Sequence, residues 1–328
     1  MSALLWPVVG ALTGLHAATW GAFKDSRFEG FRASSFARSV CLGLLVSIPV
    51  GLLTGADARG QVLVLVGLCY ASERLVTEWW KTFLREDPQD GYAIPMRLAV
   101  GGRTVDNRAA RYGLGLTIAA GLGLVCVTGP GLQEHLPGMP TGLLVVVGSM
   151  GGWLTAVGGA WKDAPIEGFQ RLKFLRSPVV ATVWAVVLLP FTQDIVLLAI
   201  AAGGASVATI ETYKTFLAGG PPGKFATKPV LHTCGGVRRA CRSLHAGLYA
   251  VLACVLAVDL LSSTSPVPGL SRSTGTASLL AVAMLSTALG SLVVAGARSA
   301  SVDAERVDRS DDRSEGQVSH ADIRRTVS

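Results

Sequence analysis

Gly21-Ala22-Phe23-Lys24-Asp25-Ser26-Arg27-Phe28-Glu29-Gly30-Phe31 returns 138 residues later as Gly159-Ala160-Trp161-Lys162-Asp163-Ala164-Pro165-Ile166-Glu167-Gly168-Phe169. A second block, Glu78-Trp79-Trp80-Lys81-Thr82-Phe83-Leu84, returns as Glu211-Thr212-Tyr213-Lys214-Thr215-Phe216-Leu217 at an offset of 133. Repetition at a fixed period marks a duplicated structural unit. Both blocks are polar in a chain that is otherwise apolar, so the duplication carried a charged site along with its scaffold.

Half of the residues are apolar and only 16% are charged, against about 25% charged in an ordinary soluble domain. Apolar stretches of the roughly 20 residues needed to cross a bilayer core fall at 3–22, 39–55, 60–80, 112–130, 141–160, 177–191, 194–216, 245–263 and 276–297. The expectation is an all-α polytopic membrane protein of about nine transmembrane helices. The sixth stretch is short. Under this topology every Lys and Arg except Arg59 and Arg272 lies on one side. Positively charged loops stay inside, which puts the C-terminus in the cytoplasm of a multi-pass inner-membrane protein and the N-terminus outside. The net charge of +7 then reports topology and a bilayer partner, not nucleic acid.

Residues 1–131 form the first four-helix repeat and 139–263 the second, with a ninth helix at 276–297 and a disordered cytoplasmic tail at 298–328. Four helices is an even number, so the copies insert in parallel, related by an axis along the membrane normal. The fall in offset from 138 to 133 fits a shorter outer turn, Thr54–Gly60 against Phe191–Asp194.

Asp25 and Glu29 stand four apart, as do Asp163 and Glu167. On a helix each pair shares a face and repels, so something positive must compensate: Lys24 or Lys162, a nearby Arg, a divalent cation, or Lys81 and Lys214 from the other block. Gly30 and Gly168 permit a sharp turn. Glu78 with Lys81, and Glu211 with Lys214, are spaced to pair on one face, the glutamates orienting the lysines. Two readings stay open: a salt-bridge network closing the cytoplasmic face, or a site. As a site, the carboxylates Asp25, Glu29, Asp163 and Glu167 suit Mg²⁺, which is held by one or two carboxylates plus substrate phosphate. Lys24, Lys81, Lys162, Lys214, Arg38 and Arg176 suit the phosphate itself. Arg38-Ser39 and Arg176-Ser177 correspond between copies and would open the following helices, where free N–H groups attract phosphate. Gly151-Gly152 and Gly158-Gly159 fit close helix packing. His232, Cys234, Cys241 and His245 lie in one loop without a usual zinc spacing.

An Asp-x-x-x-Glu pair in a cytoplasmic loop, repeated four helices later in a nine-helix protein, resembles the UbiA-type membrane prenyltransferases, whose first motif begins Asn-Asp where this chain has Lys24-Asp25. The resemblance implies Mg²⁺ and a prenyl diphosphate held by these carboxylates. Phe28-Glu29-Gly30-Phe31 is similar, over a shorter stretch, to loops of CDP-diacylglycerol synthases.

Almost no ionisable residue falls in the middle of a span, whereas transporters with internal repeats bind near the midplane. The sequence therefore points to an enzyme of transferase type acting on a phosphorylated or prenyl lipid at the cytoplasmic leaflet. A transporter with parallel repeats and a non-catalytic structural membrane protein are the alternatives.

Overall fold

The computed structural model describes residues 2–54, 62–132, 139–218, 225–226 and 235–262. Its helices are α1 (Ser2–Glu29), α2 (Ala33–Thr54), α3 (Val62–Trp79), α4 (Arg108–Leu132), α5 (Thr141–Gly148), α6 (Met150–Glu167), α7 (Arg171–Leu188), α8 (Ile195–Thr212) and α9 (Gly235–Ser262), with one hairpin of β1 (Ala99–Val100) and β2 (Arg103–Thr104). Among the described residues, four stretches are long and apolar enough to cross a membrane: Ala33–Leu52, Arg108–Gly129, Thr141–Glu167 and Ile195–Leu217. The third of these is α5 and α6 end to end, interrupted at Ser149. The expected ninth span at 276–297, and the tail, lie outside the described residues.

Small residues decide how the helices meet. A Cβ on Gly14 of α1 would run into the Ser39 carbonyl of α2, and a Cβ on Gly152 of α6 would meet the Ser177 carbonyl of α7. These are the same two contacts at the 138-residue offset. Where apolar lipid supplies no hydrophobic drive between helices, close backbone approach and dispersion hold them together, and a large side chain forced into either crossing costs about 1–3 kcal/mol. The centre is the crossing of α3 with α8. There Gly67 lies against the Ala201 carbonyl, and Gly204 against Gly67 and Ala71. The main apolar core spreads from this crossing through Leu63, Val64, Leu68, Ala185, Leu188, Leu198 and Ala202.

The glycine reading is half right. Gly151 and Gly152 pack against α8 and α7, but a Cβ on Gly158 or Gly159 would meet nothing within 4 Å. The helix starts also differ from expectation. α2 begins at Ala33 and α7 at Arg171, so Arg38 and Arg176 sit inside their helices, past the free N–H groups of the first turn.

Both Lys-Asp motifs end their helices alike. Gly30 (φ 72°) and Gly168 (φ 79°) take the left-handed conformation, which L side chains avoid, and their N–H groups close back on the Ser26 and Ala164 carbonyls at 3.1 and 3.0 Å. Both Glu-Lys blocks end in a widened π turn, Trp80–Leu84 after α3 and Tyr213–Leu217 after α8. These too are equivalent positions, and such turns often mark functional sites.

Candidate functional site

The duplicated blocks meet crosswise. Lys24 of the first motif pairs with Glu211 of the second Glu-Lys block at 3.3 Å, and Glu211 also holds its own Lys214 at 2.9 Å. Reciprocally, Lys162 of the second motif lies within Coulomb reach of Glu78, which holds its own Lys81 at 2.8 Å. The Glu-Lys pairing expected from the spacing is present in both copies. The cross-copy partner is what spacing alone could not supply.

Apolar contacts follow the same crossed plan. Phe23 packs on Phe216 (4.7 Å between ring centroids), and Arg238 and Arg242 at the start of α9 lie over the Phe23 ring at 4.3 and 5.4 Å. Phe28 stacks on Phe225 at 4.6 Å. In the other cluster Trp161, the counterpart of Phe23, donates its indole N–H to the Ala99 carbonyl at 3.0 Å, and Lys162 Nζ lies 3.7 Å from Met96 Sδ. The two long loops also touch each other. Tyr92 and Phe225, equivalent at the offset of 133, form an antiparallel bridge, with Ala226 N–H donating to the Gly91 carbonyl at 3.0 Å. Each composite cluster is thus one copy's Lys-Asp motif set on the other copy's Glu-Lys turn and following loop.

Three of the four carboxylates expected to hold Mg²⁺, Glu29, Asp163 and Glu167, are engaged in ion pairs. Lys173 Nζ sits between Asp163 and Glu167, at 2.8 and 2.6 Å, and supplies the positive charge that their repulsion demands. Its own proton affinity is raised by those two carboxylates in spite of partial burial. Glu29 pairs with Arg32 at 3.2 Å. Asp25 and Glu29 have no counterpart of Lys173, because Ser35 stands at that position. No three His, Cys, Asp or Glu side chains group as metal ligands among the described residues.

The predicted phosphate-binding cations divide. Arg38 lies over the Trp80 ring at 5.4 Å, sharing that platform with Arg85 at 5.8 Å, within Coulomb reach of Arg74, Glu73 and Glu78. Arg176 has no such platform, and its Nε is buried without a hydrogen-bond partner. Lys24 lies over Trp20 at 5.4 Å while it pairs with Glu211.

One polar group was not foreseen as a unit. Inside the bundle His16 of α1 and His245 of α9 pack ring on ring at 4.1 Å, with Tyr70 of α3 beside them. Trp20 Nε1 donates to the Tyr70 hydroxyl at 2.7 Å, and Tyr70 lies 3.4 Å from His16 Nδ1. One turn along α3, Glu73 is 1% exposed and is paired with Arg74 at 2.8 Å. The Thr77 hydroxyl donates to Glu73 at 3.1 Å, and the Arg74 guanidinium covers Trp20 at 5.1 Å. His16 is one of the few ionisable residues that lie inside an apolar span. Of the loose Cys and His grouping, Cys241 and His245 lie on α9 while His232 and Cys234 fall outside the described residues.

Loop 85–107 is held by its own charges. Arg111, fully buried, bonds Glu86 at 2.6 Å and the Phe83 carbonyl at 3.3 Å. That bond holds the Glu86 carboxyl below its ordinary range.

No family model matches this chain, and no curated protein or solved structure shows significant similarity to it.

Proposed function

We propose that the chain is a membrane-embedded protein that takes the headgroup of a phosphorylated lipid at its cytoplasmic face, as the binding part of a transferase-type reaction. The observation that carries this reading is the pair of crossed clusters. In one, Lys24 and Lys214 pair with Glu211 while Arg238 and Arg242 lie over the neighbouring Phe23 ring; in the other, Lys81 pairs with Glu78, Lys162 lies within Coulomb reach of it, and Arg38 and Arg85 share the Trp80 ring. These cations stand at the level where the apolar helices end, which is the depth of a lipid phosphate. Basic residues there draw anionic headgroups by about 1 kcal/mol each. Lys24 and Lys214 are pre-positioned by Glu211, and an arriving phosphate exchanges one charged partner for another. Asp163 and Glu167 would hold Mg²⁺ only with Lys173 displaced, and Glu29 only with Arg32 displaced.

The test is thermal unfolding of the purified protein with phosphatidic acid, then with inorganic diphosphate, each with and without Mg²⁺. A ligand at a hundredfold excess over its Kd stabilises by about 2.7 kcal/mol, which in a chain of this size is a rise of several degrees. The rise should shrink in Lys24→Met and Lys214→Met protein. No rise with either probe would reject the reading.

A carrier is the second reading, favoured by the buried His16, Tyr70 and His245 group, since ionisable side chains within a bundle mark solute and proton paths. Solute uptake by proteoliposomes that survives Lys24→Met and Lys214→Met would favour it.

A further inference from the structure

Hydrogen-bond arithmetic around His245 gives a result that the headgroup reading neither needs nor supplies. The imidazole Nδ1 is 2.7 Å from the Thr19 hydroxyl and Nε2 is 3.0 Å from the Thr212 hydroxyl. Each hydroxyl has one proton. Thr19 directs its proton to the His16 carbonyl at 2.7 Å, and Thr212 directs its proton to the Ala208 carbonyl at 2.8 Å. Both hydroxyl oxygens therefore face His245 as acceptors. A neutral imidazole carries one N–H, whereas an imidazolium carries two. Because each hydroxyl can also turn its proton to the ring, the two threonines can serve either protonation state of His245.

We propose that His245, with His16 stacked against it, is a proton-binding site inside the helix bundle. In the neutral state Nδ1–H donates to Thr19, while the Thr212 hydroxyl leaves Ala208 and donates to Nε2. A proton arriving from water at the charged end bonds to Nε2, and the Thr212 hydroxyl turns back to the Ala208 carbonyl. Both His245 ring nitrogens are matched in both states, so the threonine acts as a rotor that exchanges one hydrogen bond for another.

The surroundings limit the pair to one proton. Burial in a medium of low dielectric opposes a charge, and two cations in contact oppose each other. From α1 the groups against His245 are His16 and Thr19; from α8 and its π turn, Thr212 and Phe216, with Glu211 next in the chain; from α9, Tyr249, with Arg242 a turn earlier; Tyr70 of α3 lies behind His16, with Glu73 and Arg74 one turn further on. His16 Nδ1 has the Tyr70 hydroxyl, which accepts from Trp20, at 3.4 Å. That leaves His16 Nε2 buried and without a partner. Thr212 adjoins Glu211, which holds Lys24, so proton uptake acts on the same α1 and α8 turns that build the first crossed cluster.

The experiment is nitrogen-15 NMR of histidine-labelled full-length protein in lipid nanodiscs, with the His245 signals identified by their loss in His245→Gln. The expected result is conversion of His245 from the one-proton to the two-proton form as pH falls from about 7 to about 3, with a midpoint below the ordinary histidine value of about 6.5 because burial opposes the charge. In Thr19→Val with Thr212→Val the midpoint should fall by at least about one pH unit, a tenfold loss of proton affinity. Thr19→Ser with Thr212→Ser should restore it. A His245 that keeps one proton throughout that range in the unaltered protein overturns the proposal, as does a midpoint indifferent to removal of the hydroxyls. The titration of the unaltered chain decides the matter even where the valine variant does not fold.

Discussion

The two halves of this chain share their crossings and differ in what fills them. Gly14 meets Ser39 in one half as Gly152 meets Ser177 in the other. Above that shared floor, Thr13, His16, Trp20, Tyr70, Glu73 and Arg74 stand where the second half has Gly151, Leu154, Gly158, Gly203, Ser206 and Val207. In the second half Gly203 lies against the Cα of Gly151 and brings the α6 and α8 backbones together. In the first half a tyrosine and a threonine at those positions preclude the same backbone contact, and Trp20, Tyr70 and His16 form a polar group alongside. α9 packs on α1 as well. The lesson is that duplication preserved the packing glycines and the charged helix ends, while the interior of one half became polar.

That contrast breaks most sharply at Glu73. Removing one partner of a buried ion pair leaves an uncompensated charge and costs about 3–5 kcal/mol. Glu73→Gln should therefore strongly lower the thermal stability of the detergent-solubilised protein. The matched Ser206→Ala should cost about 1 kcal/mol or less, because it removes a hydroxyl bonded only to the Gly203 carbonyl of its own helix. Equal losses would mean that the polar interior of the first half has no special role.

A smaller effect sharpens the contrast at the loops. The first loop is fastened by Glu86 on Arg111, whereas the equivalent of Glu86 in the second copy is Gly219. The Glu86 carboxyl titrates below its unfolded value because Arg111 bonds its charged form. Its stabilisation is thus complete above the unfolded carboxylate pKa of about 4.3 and is lost as pH falls through the lower folded value. Protease cleavage within residues 85–107 should rise below about pH 4, and Glu86→Gln should show faster cleavage already at neutral pH. Cleavage that is independent of both would remove Glu86 as the fastener.

Much of this was written in the chain in readable form. Apolar length gave the helices, the doubled motifs gave the paired charged ends, and glycine at positions 30 and 168 gave the turns that end α1 and α6. The i to i+3 spacing gave Glu78 with Lys81 and Glu211 with Lys214. What sequence could not give was which copy each lysine serves, since Lys24 is 187 residues from Glu211 and only the packing of α1 beside the end of α8 brings them together. Lys173 escaped notice because it lies on the next helix, past the Gly168 turn, although its absence from the first copy was a visible asymmetry. His16 and His245 were hidden by separation in the chain: a lone histidine in an apolar helix gives no sign of a second one opposite.

The central claim is that each charged cluster is shared between the two copies, and a double-mutant cycle on Lys24 and Glu211 tests it most directly. Unfolding free energies would be measured for Lys24→Met, Glu211→Gln and the pair. Groups in one network interact by about 0.5–3 kcal/mol, while independent sites add within about 0.5 kcal/mol. The crossed arrangement predicts that the double variant loses less than the sum of the single losses, by at least about 0.5 kcal/mol. Strict additivity would contradict it, and would return Lys24 and Glu211 to separate copies.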